Sequence, residues 1–367
     1  MATAFDPLTL GRVRLANRLV MAPMSRARAY GPDACPHPST KLYYRQRASA
    51  GLIVTEGIQP SAAARGYPAT PGLHTEAQVE AWREVTDVVH EAGGVIFAQL
   101  MHAGRIGHPS LLPPGAVPVG PSAVAADAML FTQAGPVACV TPRPLSEAGI
   151  AAIVDDFAAA ARNAVRAGFD GVELHGANGF LVHQFLSANA NLRTDRYGGT
   201  VEGRIRLALE IVAALADAVG ADRVGLQISP GNPHNDMVES DQPEQLYGAL
   251  VDALAGQGLA YLSVTEGDRS LTVDLRKRWP GVFMLNPQTS PRPTGPEDLA
   301  LVEDGTTDLL SFGALFLANP DLPRRLAEGG PFNEPDRGTF YGGGDRGYTD
   351  YPFLAGEPAG STVPAAP

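Results

Sequence analysis

Eight short apolar runs recur along the chain, each followed by a stretch with helical periodicity. The runs are RLVMAP (18–23), GLIVTEGIQ (51–59), GVIFAQLMH (94–102), GVELHGA (171–177), RVGLQIS (223–229), AYLSVTEG (260–267), GVFMLN (281–286) and LLSFGALF (309–316). They are nearly continuous in apolar residues rather than alternating, the pattern of a parallel sheet buried on both faces. Several intervening helices carry a capping residue at the start and glycine at the end, as in Ser146 with Gly168 and Thr200 with Gly220. Eight βα units in this length predict a (β/α)8 TIM barrel, one domain over residues 1–354.

Two segments exceed the bare barrel. Residues 103–145, rich in Gly and Pro, form a long excursion after the third strand and are expected to cap the mouth. The stretch from about 331, PFNEPDRGTFYGGGDRGYTDYPFL, is aromatic and glycine-rich and is expected to pack back on the barrel. Residues 355–367 are expected to be a disordered tail.

Charge and composition then narrow the function. With 28 Lys+Arg against 39 Asp+Glu the net charge is −11, which opposes a phosphate-backbone surface, so no nucleic-acid partner is expected. No window reaches the roughly 20 apolar residues of a membrane span, and the N-terminus does not read as a secretory signal. The expectation is a cytoplasmic protein with no membrane partner, whose oligomeric state stays open. Cys35 and Cys139 read as free thiols, and no metal site is expected.

In a barrel of this kind chemistry gathers where strands end. The polar residues at those places are Ser25, Arg26, Glu56, Gln99, His102, His175, Asn178, Gln227, Glu266 and Asn286. Glu56 and Glu266 read equally well as ion-pair partners within the rim. His175, Asn178 and Phe180 lie within six residues at the end of the fourth run, inside FDGVELHGANGFLVHQFL.

The motifs NRLVMAPMSR, YYRQRASAGLIVTEG, GYPATPGLHT, FAQLMHAGR, GFDGVELHGANGFLVHQFLS, NLRTDRYGGTVEGR, FLANPDLPRRL and FYGGGDRGYTDYP occur in order. On these, from Phe5 to Phe353, the chain resembles the old yellow enzyme family of flavin-dependent ene-reductases. The resemblance implies that His175 and Asn178 hold and polarise a substrate carbonyl oxygen, in the manner of an oxyanion hole. It implies that Ser25 and Gln99 hydrogen-bond a flavin ring, with Met101, Phe180 and Ser25 on the substrate side. Four positions depart from the family pattern. Phe180 stands where a tyrosine normally delivers a proton, and a phenyl ring has no O–H. Gln227 replaces a basic residue facing the flavin N1/O2 edge. The loop GVFMLNPQTSPRPTGPEDL lacks the glycine-rich phosphate cradle, with Arg292 as its one candidate replacement. Ala314 takes the place of a phosphate-binding arginine.

Because these departures fall on one ligand, the sequence reading favours a barrel working without a flavin on an enone, dienone or phenolic substrate. Its chemistry would be isomerisation, conjugate addition, cyclisation or dehydration. Tyr67, His102 and Tyr351 are the candidate proton-handling groups, and Arg143 is a candidate substrate or lid contact. The alternative is an FMN- and NAD(P)H-dependent ene-reductase; a non-catalytic ligand-binding barrel is the third reading.

Overall fold

A computed structural model describes residues 2–31, 33–239 and 242–355. Residues 356–367, nearly all of the stretch expected to be disordered, lie outside the described residues. Eight parallel strands close a barrel: β1 (Leu19–Met21), β2 (Leu52–Val54), β3 (Ile96–Leu100), β4 (Gly171–Gly176), β5 (Val224–Ile228), β6 (Tyr261–Thr265), β7 (Val282–Asn286) and β8 (Leu309–Phe312). Each pairs with its neighbour in sequence and β8 returns to β1. All eight lie within the apolar runs.

The capping signals act as read. Ser146 accepts from the Gly149 N–H at the start of the helix Glu147–Arg166, and Thr200 accepts from Gly203 N–H before Val201–Val219. A full capping box, Thr75 with Gln78, starts the helix Glu76–Glu91.

The pleat sorts each strand into an outer and an inner set. Val172 and Leu174 face the helices, in one apolar cluster with Ala160, Ala164 and Leu207. At the lower end of the barrel interior Val20, Leu52, Phe97, Tyr261, Met284 and Leu309 form a second cluster. The rings of Phe97 and Tyr261 lie 5.8 Å apart. Two glycines make room for them: a Cβ on Gly171 would come within 2.4 Å of the Phe97 ring, and one on Gly225 within 2.3 Å of Tyr261. One step up the pleat the inner set turns polar, and this change builds the site.

The excursion carries an antiparallel hairpin, Met129–Thr132 with Gly135–Ala138, and a short parallel bridge between Val119–Gly120 and Arg143–Pro144. Residues 337–348 fold back on the loop after β1. Tyr348 is fully buried and stacks on Tyr43 at 4.2 Å, while Arg26 and Arg28 cover its ring. Arg26 Nη2 donates to the Gly347 carbonyl at 2.8 Å and Arg28 Nε to that of Gly344 at 3.1 Å. These bonds tie the segment that carries Ser25 to the end of the described chain.

Candidate active site

Register places the polar ladder. Glu173 is level with Gln99 of β3, and His175 with Gln227 of β5. Gln99 Nε2 donates to Glu173 Oε1 at 2.8 Å and to Gln227 Oε1 at 2.9 Å. Gln227 Nε2 makes one long bond, 3.4 Å to Thr265 Oγ1. Gln99 Oε1 and one Gln227 N–H are therefore left as an acceptor and a donor side by side. Glu173, which sequence reading passed over, is fully buried, and burial pushes its carboxyl up to about 7.

His175 is buried, and its Nδ1 accepts from the Ala177 N–H at 3.2 Å. That bond assigns the proton to Nε2, which meets no acceptor among the described residues. Burial, helped by nearby His183, lowers its pKa to about 3, so it is a neutral donor. Asn178 adopts φ +52°, held by three bonds. Its N–H donates to Ser229 Oγ at 2.8 Å, its carbonyl accepts from Asn235 Nδ2 at 2.8 Å, and its Oδ1 accepts from Asn232 Nδ2 at 2.9 Å. With Oδ1 occupied, the Asn178 amide is left with N–H groups to offer. The strand end thus presents two neutral donors three residues apart, each oriented by a bond on its other side.

Phe180 packs edge-on against His175 at 4.8 Å, and Tyr67 edge-on against Phe180 at 6.2 Å. Met101, Ala103, Ile106, Leu130 and Cys139 join Phe180 in one cluster, so the excursion sits on the Phe180 ring. The Tyr67 phenol is pushed up to about 12 by burial, against the pull of Asn235. His102 is buried; its Nδ1 accepts from Gly104 N–H at 3.0 Å and burial lowers its pKa to about 4. Its carbonyl accepts from Leu181 N–H at 2.9 Å, which fixes the turn after Asn178.

Ser25 is half-buried and its hydroxyl makes no bond among the described residues. Other candidates are not gathered here. Arg143 is exposed on the short outer bridge of the excursion. The Tyr351 hydroxyl accepts from the Asp336 N–H at 2.9 Å, so it serves the C-terminal segment's own turn. Arg292 is paired with both Asp298 oxygens, at 2.7 and 2.9 Å, and with Glu297 at 3.1 Å. Ala314 opens a five-residue helix, Ala314–Ala318. Of the two rim carboxylates, Glu266 pairs with Arg269 at 2.6 Å, whereas Glu56 accepts from the backbone of Arg26 at 3.1 Å. Asn232 and Asn235 were missed; their only sequence signal is the Asn-rich turn GNPHND after β5.

The fold and the site define an eight-stranded parallel barrel that carries two neutral side chains, His175 and Asn178, and an amide ladder at its upper end. The model of the NADH:flavin oxidoreductase / NADH oxidase family matches residues 3–333. A 12-oxophytodienoate reductase 1 of Oryza sativa subsp. japonica is 40% identical over 95% of this chain and 92% of its own length. A "Probable flavin mononucleotide-dependent alkene reductase" of Leishmania infantum is 41% identical, covering 95% and 96%. Among solved structures, morphinone reductase in complex with tetrahydroNAD superposes with a TM-score of 0.91 at 41% identity, covering 97% of this chain and 99% of that one. The chain belongs to this family, the old yellow enzymes.

That membership corrects the cofactor expectation. A barrel without a flavin is overturned by a family of flavin oxidoreductases and by a relative named for flavin mononucleotide at 41% identity over nearly the whole chain. The error lay in counting charged contacts at two ends of the ligand. A flavin ring buries a large flat surface, and affinity follows from that burial and from placed neutral donors as much as from ion pairs. The residues present fit such a ring: Gln99 Oε1 and the free Gln227 N–H match an edge of alternating donors and acceptors, and the Ser25 hydroxyl is unengaged. No helix among the described residues is long and apolar enough to cross a membrane.

Proposed function

We propose that this protein is an FMN- and NAD(P)H-dependent reductase of activated C=C bonds, acting on small enones. The observation that carries the reading is the donor pair: His175 Nε2–H and an Asn178 amide N–H, each left free because its other atom is bonded within the chain. Gln99, Gln227 and Ser25 would hold the flavin ring. The chemistry a bound flavin supplies is two-electron: hydride passes from reduced nicotinamide to the alkene β-carbon.

The chain's own residues do the rest. Two neutral donors on one carbonyl oxygen drain charge from the conjugated bond and stabilise the enolate that forms. A charged imidazole would give up its proton to that oxygen; His175, at about 3, stays neutral and only donates a hydrogen bond. Phe180 has no proton to give. Tyr67, its phenol pushed up to about 12 by burial, packs edge-on against the Phe180 ring and is the group we assign to deliver one. The excursion packed on Phe180 keeps that side dry.

The test is direct. Protein loaded with FMN should oxidise NADPH in the presence of cyclohexenone, and His175→Ala with Asn178→Ala should lose the enone-dependent part by about 100-fold or more. A protein that takes up no FMN, or a double variant with full enone turnover, would sink the reading.

A further inference from the structure

A cavity of about 430 Å³ lies beside the mouth, between the loop after β1, the loop after β2 and the excursion, lined among others by Tyr30, Arg65, Ser110, Thr132 and Gln133. Its one cation is Arg65. Among the described residues that guanidinium makes no hydrogen bond or ion pair, and its Nε is buried without a partner. Burial lowers its pKa and no carboxylate offsets the effect. Other arginines around the mouth are compensated: Arg105 by Asp236, Arg193 by Asp195, and Arg26 by backbone carbonyls. Leaving a partly buried charge unpaired is costly, and in a chain of net charge −11 it is conspicuous.

We propose that this cavity is an anion subsite in which Arg65 binds the phosphates of the nicotinamide dinucleotide. The inference rests on the reductase reading above. The volume is in the range of a nucleotide-sized pocket. Among the described residues no carboxylate lines it, the Gln133 amide adds neutral donors, and the half-exposed Tyr30 ring offers a face for a base. Arg65 is two residues from Tyr67, whose ring packs on Phe180, which in turn packs on His175. A carboxylate on the alkene substrate has the same charge, but it would not need a cavity of this size.

The FMN-loaded enzyme and Arg65→Met should be compared with NADPH and with 1-benzyl-1,4-dihydronicotinamide, a donor without phosphates. The expected result is a KM for NADPH raised about 10- to 100-fold with kcat within about twofold, and an unchanged KM for the phosphate-free donor. Arg65→Lys should recover part of the loss. Calorimetry with adenosine 2′,5′-bisphosphate should show binding to the natural protein and none to Arg65→Met. Equal effects on both donors, or an unchanged KM for NADPH, overturn the subsite. So does a KM change confined to a carboxylate-bearing enone. If the natural protein oxidises neither donor, the reductase reading has failed, which is a different result from an active enzyme indifferent to Arg65.

Discussion

Phe180 and Tyr67 divide what one residue would otherwise combine: the ring that packs against His175 and the hydroxyl that could give a proton. If Tyr67 is the donor, Tyr67→Phe should slow the alkene-reducing half of the cycle by about 100-fold, the usual scale of general-acid loss. Reduction by NADPH should be unaffected, and adding Phe180→Tyr should restore much of the rate. Stopped-flow measurement of the two halves separates these; an equal loss in both would mean that Tyr67 only packs. His175, Asn178 and Phe180 were legible because they break an apolar run abruptly. Glu173 was not, although it lies in the same run. A lone carboxylate among β-branched neighbours carries its meaning only once the pleat turns it inward, opposite Gln99. Asn232 and Asn235 reach Asn178 across more than fifty residues of chain, and no local pattern encodes that contact.

The loops after β7 and β8 are where barrels of this type commonly hold a phosphate. Here three backbone donors of the β7 loop are engaged within the chain: Gln288 N–H goes to Glu266 Oε2, Arg292 N–H to the Thr289 carbonyl and Gly295 N–H to Asp298 Oδ2. Arg292 is held by two acids and Ala314 has no charge. With Arg292 engaged and Ala314 uncharged, we predict that flavin affinity rests largely on the ring, with FMN bound less than about tenfold more tightly than riboflavin. Ala314→Arg should raise that preference by about 10- to 100-fold. Quenching of flavin fluorescence reads both, and a natural preference for FMN beyond about 100-fold would show a phosphate anchor elsewhere. The strands themselves were readable because a parallel barrel buries both faces and leaves uninterrupted apolar runs. The excursion was readable only as an insertion. Its composition signals turns, but not that Leu130 and Cys139 would turn inward while Arg143 stays out.

For the whole molecule, two buried carboxyl groups of the barrel, Glu173 and Glu56, are pushed up to about 7 by burial. Each binds its proton more tightly in the folded protein than the ordinary value of 4.5 implies. Between those values the native state holds more protons than the unfolded chain, so each group costs stability as pH rises from about 4.5 to 7 and adds no further cost above. At 1.36 kcal/mol per tenfold, that cost approaches roughly 3 kcal/mol for Glu173. Glu173→Gln keeps an oxygen to accept from Gln99 and removes the titration. Urea unfolding at a series of pH values should show the variant close to the natural protein near pH 4.5. Its advantage should grow to pH 7 and then level off. A difference independent of pH would mean that Glu173 does not titrate in this window, and that the amide ladder at the mouth rests on a charge the barrel already accommodates.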